Sequence, residues 1–213
     1  MTEARTGGLL DVASCGVGLD DVPLMLLDGA DLPDDLGGFD TLTDRLLDNE
    51  AMAATSLGGR TAAGLADLGR LGGVAREFAA PRGAATLAEE PADILQAATV
   101  VHLFRGPLDV EHWIDQVFVR EMRERVGQDE PEGAHLAGAE LVDAHGFHEH
   151  AAGLMLLHQM QGVELASTII DFQLGCLLGV AYVVAKRDVV LRELATDLAL
   201  RLERRMVSVV LGG

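Results

Sequence analysis

The chain has 213 residues, of which 49% are hydrophobic and 23% charged, and its formal net charge at pH 7 is −18. This length and apolar fraction suffice for one domain with a packed core and exclude global disorder. The negative charge disfavours a nucleic-acid-binding function and favours cations, amines or basic proteins as partners. Aromatic residues make up only 4%, so the core must consist mainly of Leu, Val and Ala, a composition that favours helices.

The first 39 residues are rich in Gly and Asp and are predicted to form an irregular acidic arm, 1–39. Their start lacks the apolar run of a secretory signal peptide. The segment from Val12 to Cys15 resembles a lipoprotein cleavage box, but the basic and apolar regions that should precede such a box are missing. Because Cys15 and Cys176 lie far apart in unlike surroundings, the sequence predicts no disulfide framework and a cytoplasmic location.

Several segments between residues 40 and 128 have the apolar spacing of amphipathic helices. A capping-box pair, Thr86 with Glu89, precedes the third of these segments, and Asp109 is positioned to cap the fourth. Glycines and prolines at their ends supply the breaks. The helices predicted in this part of the chain cover 41–57, 61–71, 94–104 and 110–125.

The remaining helices are predicted over 134–162, 165–185 and 188–211. The segment 165–185 is apolar except for Asp171, Gln173 and a few hydroxyl groups, which is typical of a helix buried on every side. The expected fold is therefore all-α: a single-domain helical bundle of about six to eight helices over residues 40–213, with 165–185 as its central helix.

The apolar segment 165–185 also has the length of a membrane span and is followed by Lys186 and Arg187. Asp171 and Gln173 lie about a third of the way into it, where an ionised carboxylate is costly in lipid. A buried core helix explains the same composition without that cost. Contact with a membrane is therefore not expected.

Histidines are concentrated in one part of the chain that lacks other basic residues. No Lys or Arg occurs between Arg125 and Lys186, whereas five of the seven histidines lie there. Carboxylates in the same segment favour a protonated imidazole or a bound cation. A solvated acidic surface is the alternative explanation. The five histidines are His135, His145, His148, His150 and His158.

One face of the predicted helix 134–162 offers a candidate metal site. His145, His148 and Glu149 have the spacing i, i+3 and i+4, which would direct two imidazoles and a carboxylate toward one ion. A divalent metal is therefore a possible cofactor. The alternative is a solvated polar turn, because no fourth ligand is defined.

The other face of the same predicted helix carries Glu140, Asp143, His150 and His158, which could line a small-molecule cleft. Asp171, if buried in a central helix, must find a partner or take up a proton, as a general acid or base does. The alternative is that this polar face packs against Arg side chains of the last helix.

Two functions follow from these residues. The first is an enzyme acting on a small substrate, either neutral or cationic: Asp171 exchanges protons with His150 or His158, and Glu140 or Asp143 orients an imidazole or attracts a cation. The second is a non-catalytic acidic helical subunit that docks on a larger partner protein or on a second copy of itself. The concentration of histidines favours the enzyme, and the Arg-rich, Ala-rich and Gly-rich composition indicates a bacterial source.

Overall fold

The computed structural model describes residues 8–55, 59–80, 93–129, 134–160, 162–186 and 191–213. These residues contain seven strands, six α-helices and a π-helical segment. The strands are β1 (Asp40–Leu47), β2 (Arg70–Ala79), β3 (Ile94–Phe104), β4 (Ala134–Val142), β5 (Ala151–Met160), β6 (Val163–Leu174) and β7 (Leu177–Lys186). The helices are α1 (Leu9–Ser14), α2 (Asn49–Thr55), α3 (Ala62–Asp67), α4 (Pro107–His112), the π-helical segment (Trp113–Arg120), α5 (Glu121–Glu124) and α6 (Arg192–Val210).

The strands form one antiparallel sheet in the order β1-β2-β3-β7-β6-β5-β4. Because β3 pairs with β7, the chain leaves the sheet after β3 and returns at the far edge as β4. This connection carries the continuous helical residues 107–124, called here the covering helix. The covering helix lies across β3, β5, β6 and β7, and it forms a layer on one face of the sheet.

The opposite face of the sheet is covered by α6 and by the N-terminal segment. Side chains on a strand alternate between faces, so Val101 and Phe172 join the main core beneath α6. Their neighbours Val100 and Asp171 point toward the covering helix. The domain therefore has three layers, with a large core on the α6 side and smaller apolar clusters under the covering helix.

The prediction of an all-α helical bundle is wrong, because a seven-stranded sheet forms the centre of the domain. The described part of 41–57, residues 41–55, forms β1 followed by α2, residues 61–71 form α3 and the start of β2, and 94–104 is β3 throughout. The central strands are buried on both faces, so they lack the alternation of polar and apolar residues that identifies half-buried strands. The capping-box pair Thr86 and Glu89 lies outside the described residues.

The predicted central helix 165–185 is instead a β-hairpin that joins β6 to β7. Leu174 pairs with Leu177 across a turn in which Gly175 has a φ of 56°, a conformation that favours glycine. The predicted helix 134–162 is likewise the pair β4 and β5 with a loop between them. The histidines of this segment therefore do not lie on a common helix, and the two predicted helix faces do not form.

Two predicted helices are confirmed: the covering helix near residues 110–125 and α6 within 188–211. The predicted cap of the first is wrong, because Gly106 is its N-cap and Asp109 lies in its first turn. Pro107 at the start of α4 suits the first turn of a helix, where its missing N–H costs nothing. Each helix turns an apolar side toward the sheet. Among the described residues, no helix combines the length and the apolar composition that crossing a membrane requires.

The cysteines also differ from the prediction, because Cys15 and Cys176 form a disulfide bond with a Cα–Cα distance of 4.9 Å. The bond links the end of α1 to the β6–β7 turn, where the backbone N–H of Cys176 also donates to Ser14 Oγ at 3.2 Å. Residues 8–39 contain α1 and three short 3₁₀ helices and contribute side chains to the main core. The buried apolar side chains described in this segment are Val22, Met25, Leu26, Leu27, Leu32 and Leu36.

Gly179 on β7 provides the space for the ring of Phe172, its partner on β6. A Cβ atom at Gly179 would lie 2.1 Å from Phe172 Cζ, and Phe172 itself stacks on Phe147 at 5.1 Å between ring centroids. Gly179→Ala is therefore expected to lower the free energy of unfolding by about 1–3 kcal/mol through overpacking. Urea denaturation measures the loss, with Gly38→Ala as the control because open space surrounds Gly38. Equal stability of the two variants would contradict this packing.

Candidate functional site

A cavity of about 320 Å³ lies between the covering helix and the sheet. Its wall is mainly apolar, with a small number of polar and charged side chains. The lining residues come from the five strands β1, β2, β3, β6 and β7, from the covering helix, and from α2 and the loop before α3. They are Arg45, Leu47, Met52, Arg60, Ala75, Glu77, Val100, His102, Trp113, Val117, Phe118, Met122, Ile169, Asp171, Val180 and Tyr182.

The floor of the cavity is a row of side chains that crosses the sheet. Asp171 on β6 is paired with Val180 on β7, and Val180 is paired with Val100 on β3. The row continues through Ala75 on β2 to Arg45 on β1. Directly paired residues of an antiparallel sheet share a face, so the register alone places these five side chains beneath the covering helix.

The roof of the cavity is formed by Trp113, Val117 and Phe118, all from the π-helical segment of the covering helix. Such segments are frequently found at functional sites. The ring of Trp113 packs edge-on against Phe104 at 5.5 Å, and the guanidinium of Arg60 lies 6.0 Å from its centroid. The roof therefore contains two aromatic rings, and Trp113 is held in place by its contact with Phe104 in the core.

Asp171 is the most unusual group in the cavity wall. Asp171 is only 3% exposed. Its carboxyl forms no hydrogen bond or ion pair with any residue that the structure describes. Burial raises the pKa of Asp171 well above its ordinary value, since a buried charge loses its hydration. The carboxyl therefore tends to hold a proton unless a cation comes within reach.

Arg70 and His102 form a second group of buried polar side chains, at the end of the cavity. Arg70 donates to His102 Nδ1 at 3.0 Å, to Asn49 Oδ1 at 2.6 Å and to the Leu47 carbonyl at 2.7 Å. Burial lowers the pKa of Arg70 to about 10, although the carboxylate of Asp48 opposes the shift. The guanidinium thus remains charged at neutral pH.

The state of His102 follows from this contact. Burial and the neighbouring Arg70 charge lower the pKa of His102 well below its ordinary value, so the imidazole is neutral. Because arginine only donates, Nδ1 of His102 must accept, and the ring proton is on Nε2. His102 therefore contributes a neutral ring, held in one orientation, to the cavity wall.

The opposite end of the cavity carries a group of paired polar residues. Arg45 donates to Glu77 at 2.6 Å, and Gln96 donates to the other oxygen of Glu77 at 3.3 Å. Burial and the neighbouring Glu77 raise the pKa of Tyr182, so its hydroxyl keeps its proton. Arg60 is paired with Glu121 of the covering helix in the same way.

The histidines predicted to act with Asp171 lie at different distances from it. His158 is paired with Leu165, six residues along β6 from Asp171, which corresponds to about 20 Å. The backbone of His150 is closer, because its carbonyl accepts from the Gln173 amide at 2.8 Å. The ring of His150, however, lies 2.8 Å from Asp115 of the covering helix, at a surface depression outside the cavity.

The other predicted site residues lie in the loop between β4 and β5 or at the edge strand β4. Glu140 is exposed on β4, and Asp143 is exposed beside His145, with 2.5 Å between Oδ2 and Nε2. His148 Nδ1 lies 3.1 Å from the buried Glu203 of α6. Both oxygens of Glu149 accept from the Gly175 amide.

The three predicted metal ligands thus have three different partners. His148 and Glu149 line the same surface depression as His150, whereas His145 lies beside Asp143 and does not line that depression, so the three predicted ligands do not form one set. Within the described ranges, no group of three or more His, Cys, Asp or Glu side chains is arranged to hold a metal ion. The geometry gives no support to metal-assisted chemistry at this loop.

The sequence analysis does not identify Trp113 and Tyr182, which line the cavity, or Arg70, which contacts the lining residue His102. Arg70 and His102 are 32 residues apart and meet only because β2 pairs with β3. Trp113 lies within the predicted helix 110–125, but that position alone does not identify a cavity. One sequence signal could have identified the strands that carry Asp171 and Tyr182: the content of Val, Ile and Thr in 163–186 is typical of buried strands.

The fold resembles that of one solved structure in particular. The extracellular domain of PknH from Mycobacterium tuberculosis matches with a TM-score of 0.56 at 8% sequence identity, and the match covers 88% of this chain and 97% of that one. No protein-family model matches the chain, and no curated protein matches it significantly. At this identity the likeness is one of fold: a mixed α/β domain with a seven-stranded antiparallel sheet.

These findings correct the functional predictions that depended on a helical bundle. The acid–base enzyme at a His/Asp cleft between helices and the docking helical subunit are both wrong, because the site is built on a sheet and shares its fold with the PknH extracellular domain. The cytoplasmic location is wrong as well. It depended on unpaired cysteines, whereas Cys15 and Cys176 form a disulfide within the fold of an extracellular domain.

Proposed function

We propose that this chain is a ligand-binding or sensor domain that acts outside the cytoplasm and binds one small amphipathic molecule. The observation that carries the proposal is the cavity of about 320 Å³, whose wall is mostly apolar but includes the buried, unpaired carboxyl of Asp171. Small-molecule sites are typically cavities of about 300–1,000 Å³ with apolar walls and a few polar groups that orient the ligand.

The arrangement favours binding over catalysis. In catalytic dyads and triads, a second polar side chain within hydrogen-bond reach orients the acid or base. Asp171 has no such neighbour in the described part of the chain. His102 is held by Arg70 through the nitrogen that could otherwise accept a proton. Each of these groups is therefore suited to form hydrogen bonds with a bound molecule.

The disulfide supports a location outside the cytoplasm. Disulfide bonds persist in oxidising compartments and are rare in the cytosol, where thiols are kept reduced. Cys176 is 1% exposed, and the bond joins segments 161 residues apart, so it belongs to the folded domain. The similarity to an extracellular domain is consistent with the same location.

Trp113 provides a direct test, because it is the only tryptophan of the chain and lies in the cavity wall. The neutral fluorescent probe N-phenyl-1-naphthylamine is expected to bind with one-to-one stoichiometry and to quench Trp113 by energy transfer. Val180→Phe, which places a ring on the cavity floor, is expected to weaken this binding at least about tenfold through a steric clash.

Leu141→Phe is the matched control for that variant. Leu141 is 58% exposed on the edge strand β4 and does not line the cavity, so the added ring should leave probe binding unchanged. Probe binding that is undetectable in the wild type, or that is equally strong in Val180→Phe, would contradict the proposed function.

A further inference from the structure

We infer that the ligand carries a basic amine, and that this amine pairs with the Asp171 carboxylate at the floor of the cavity. The inference rests on the proposed function, because it specifies the polar group of the molecule that the cavity binds. It states a chemical class, an aliphatic or aryl-alkyl ammonium ion with an apolar body, and it assigns Asp171 as the residue that selects this class.

The charges around the cavity support an ammonium ion. Glu77 is paired with Arg45, whose side chain donates at 2.6 Å. Arg60 is paired with Glu121. These four charges cancel in pairs, whereas Asp171 has no cation among the described residues. A ligand anion would find both lining arginines already neutralised, and the third, Arg70, lies behind His102 with its donors directed at Asn49, Leu47 and His102. A ligand cation would find a carboxyl without a partner.

The uncharged part of the wall suits the same class of ligand. Trp113, Phe118 and Tyr182 are three aromatic residues around one cavity that also contains a carboxyl. Aromatic rings and a carboxylate together are a recurrent means of binding ammonium groups, because ring faces attract cations. Arg60 over Trp113 already shows a cation at one of these rings.

The charge of the whole protein acts in the same direction. A net charge of −18 raises the local concentration of cations and repels anions during the approach to the site. A buried ion pair between ammonium and carboxylate also forms charge-assisted hydrogen bonds, which are stronger than bonds between neutral groups. An amine is therefore favoured over a neutral hydrogen-bond acceptor such as an alcohol or an amide.

The protonation state of Asp171 distinguishes an amine ligand from a neutral hydrogen-bond acceptor, because the two ligands require different states of its carboxyl. The other ionisable groups around the cavity are Arg45, Arg60, Glu77, His102 and Tyr182, and the facing residues of the covering helix are Trp113, Val117 and Phe118. Burial raises the pKa of Asp171, so the free protein keeps a proton there up to a higher pH than an exposed aspartic acid does. An ammonium ion must displace that proton, and its affinity should rise about tenfold per pH unit below the pKa of free Asp171.

A neutral acceptor would show the opposite dependence. It would accept a hydrogen bond from the protonated carboxyl, so its affinity should be constant at low pH and should fall once Asp171 ionises. The sign of the slope therefore identifies the ligand class in the wild-type protein alone, and the test does not depend on whether a variant folds.

The experiment compares octylamine with octanol, which has the same chain length, by isothermal titration of the oxidised wild-type protein between pH 5 and 8. Asp171→Asn is compared with Asp143→Asn, which removes the same charge from an exposed loop residue. We expect the wild type and Asp143→Asn to prefer octylamine at least about tenfold at pH 7. Asp171→Asn should lose this preference and keep its affinity for octanol.

The inference is overturned if the wild type binds the two compounds equally, or if Asp171→Asn still prefers the amine. If N-phenyl-1-naphthylamine binds but the amine preference is missing, only the ligand class is wrong. If the probe, octanol and octylamine all fail to bind, the proposed function is wrong as well.

Discussion

The double variant Cys15→Ala/Cys176→Ala is expected to unfold with a free energy about 2–5 kcal/mol lower than that of the oxidised wild type. The disulfide joins residues separated by 161 positions, and a cross-link that closes a long loop removes much conformational freedom from the unfolded chain. The segment that it holds supplies six buried side chains to the core beneath the sheet. The loss should therefore affect the whole domain and not only its first helix.

Urea denaturation followed by Trp113 fluorescence measures this loss. Wild-type protein treated with a reductant is the matched control, because Cys15 is exposed and reduction should give nearly the same stability as the double variant. If the variant and the reduced wild type are as stable as the oxidised protein, the N-terminal segment is held by its packing alone.

Arg70→Met is expected to lower the free energy of unfolding by about 2–4 kcal/mol. Arg70 is only 1% exposed, and its guanidinium satisfies Asn49, His102 and the Leu47 carbonyl at once. Methionine fills a similar volume but leaves these three groups without their donor. The cost of unpaired buried polar groups should exceed the gain from removing a buried charge.

Arg120→Met is the control for this variant, because Arg120 is 59% exposed and forms only a surface ion pair with Glu124 at 3.6 Å. Such pairs contribute about 0–1 kcal/mol. A thermal or urea unfolding series should therefore separate the two variants clearly. Comparable stability of both would show that the Arg70 contacts contribute little.

The parts of the fold that the sequence predicts correctly are those with local signals. The covering helix begins at Pro107 after Gly106 and has an apolar stripe through Trp113 and Val117, and a helix with these features is stabilised by contacts within a few residues. The last helix, Arg192–Val210, is similar in this respect. Neither depends on knowing what lies on the other side of the sheet.

The strands could not be identified in the same way. The segment 163–186 is largely buried on both faces, so its apolar periodicity fits a buried helix and a buried hairpin equally well. What distinguishes them is its content of Val, Ile and Thr and the glycine at 175, where the turn requires a positive φ. The prediction of a helix over 134–162 is also wrong, because its described residues form β4, a loop and β5.

The candidate site likewise combines one residue that the sequence identifies with others that only the strand pairing brings to it. Asp171 could be singled out from the sequence because a lone acid in a long apolar segment is unusual wherever that segment folds. Its surroundings could not be found, because Val100, Ala75 and Arg45 reach it only through the pairing of four further strands. The disulfide likewise depends on tertiary structure, because it joins the start of the domain to a turn near its end.

The most direct test is a ¹³C NMR titration of the Asp171 carboxyl, assigned with Asp171→Asn, with and without octylamine. In the free protein we expect a pKa well above the ordinary value of about 3.9. With saturating octylamine, the same carboxyl should be ionised at pH values where the free protein holds its proton. A carboxyl that titrates at its ordinary value and does not respond to the amine would contradict the account of a buried, unpaired acid that binds a cation.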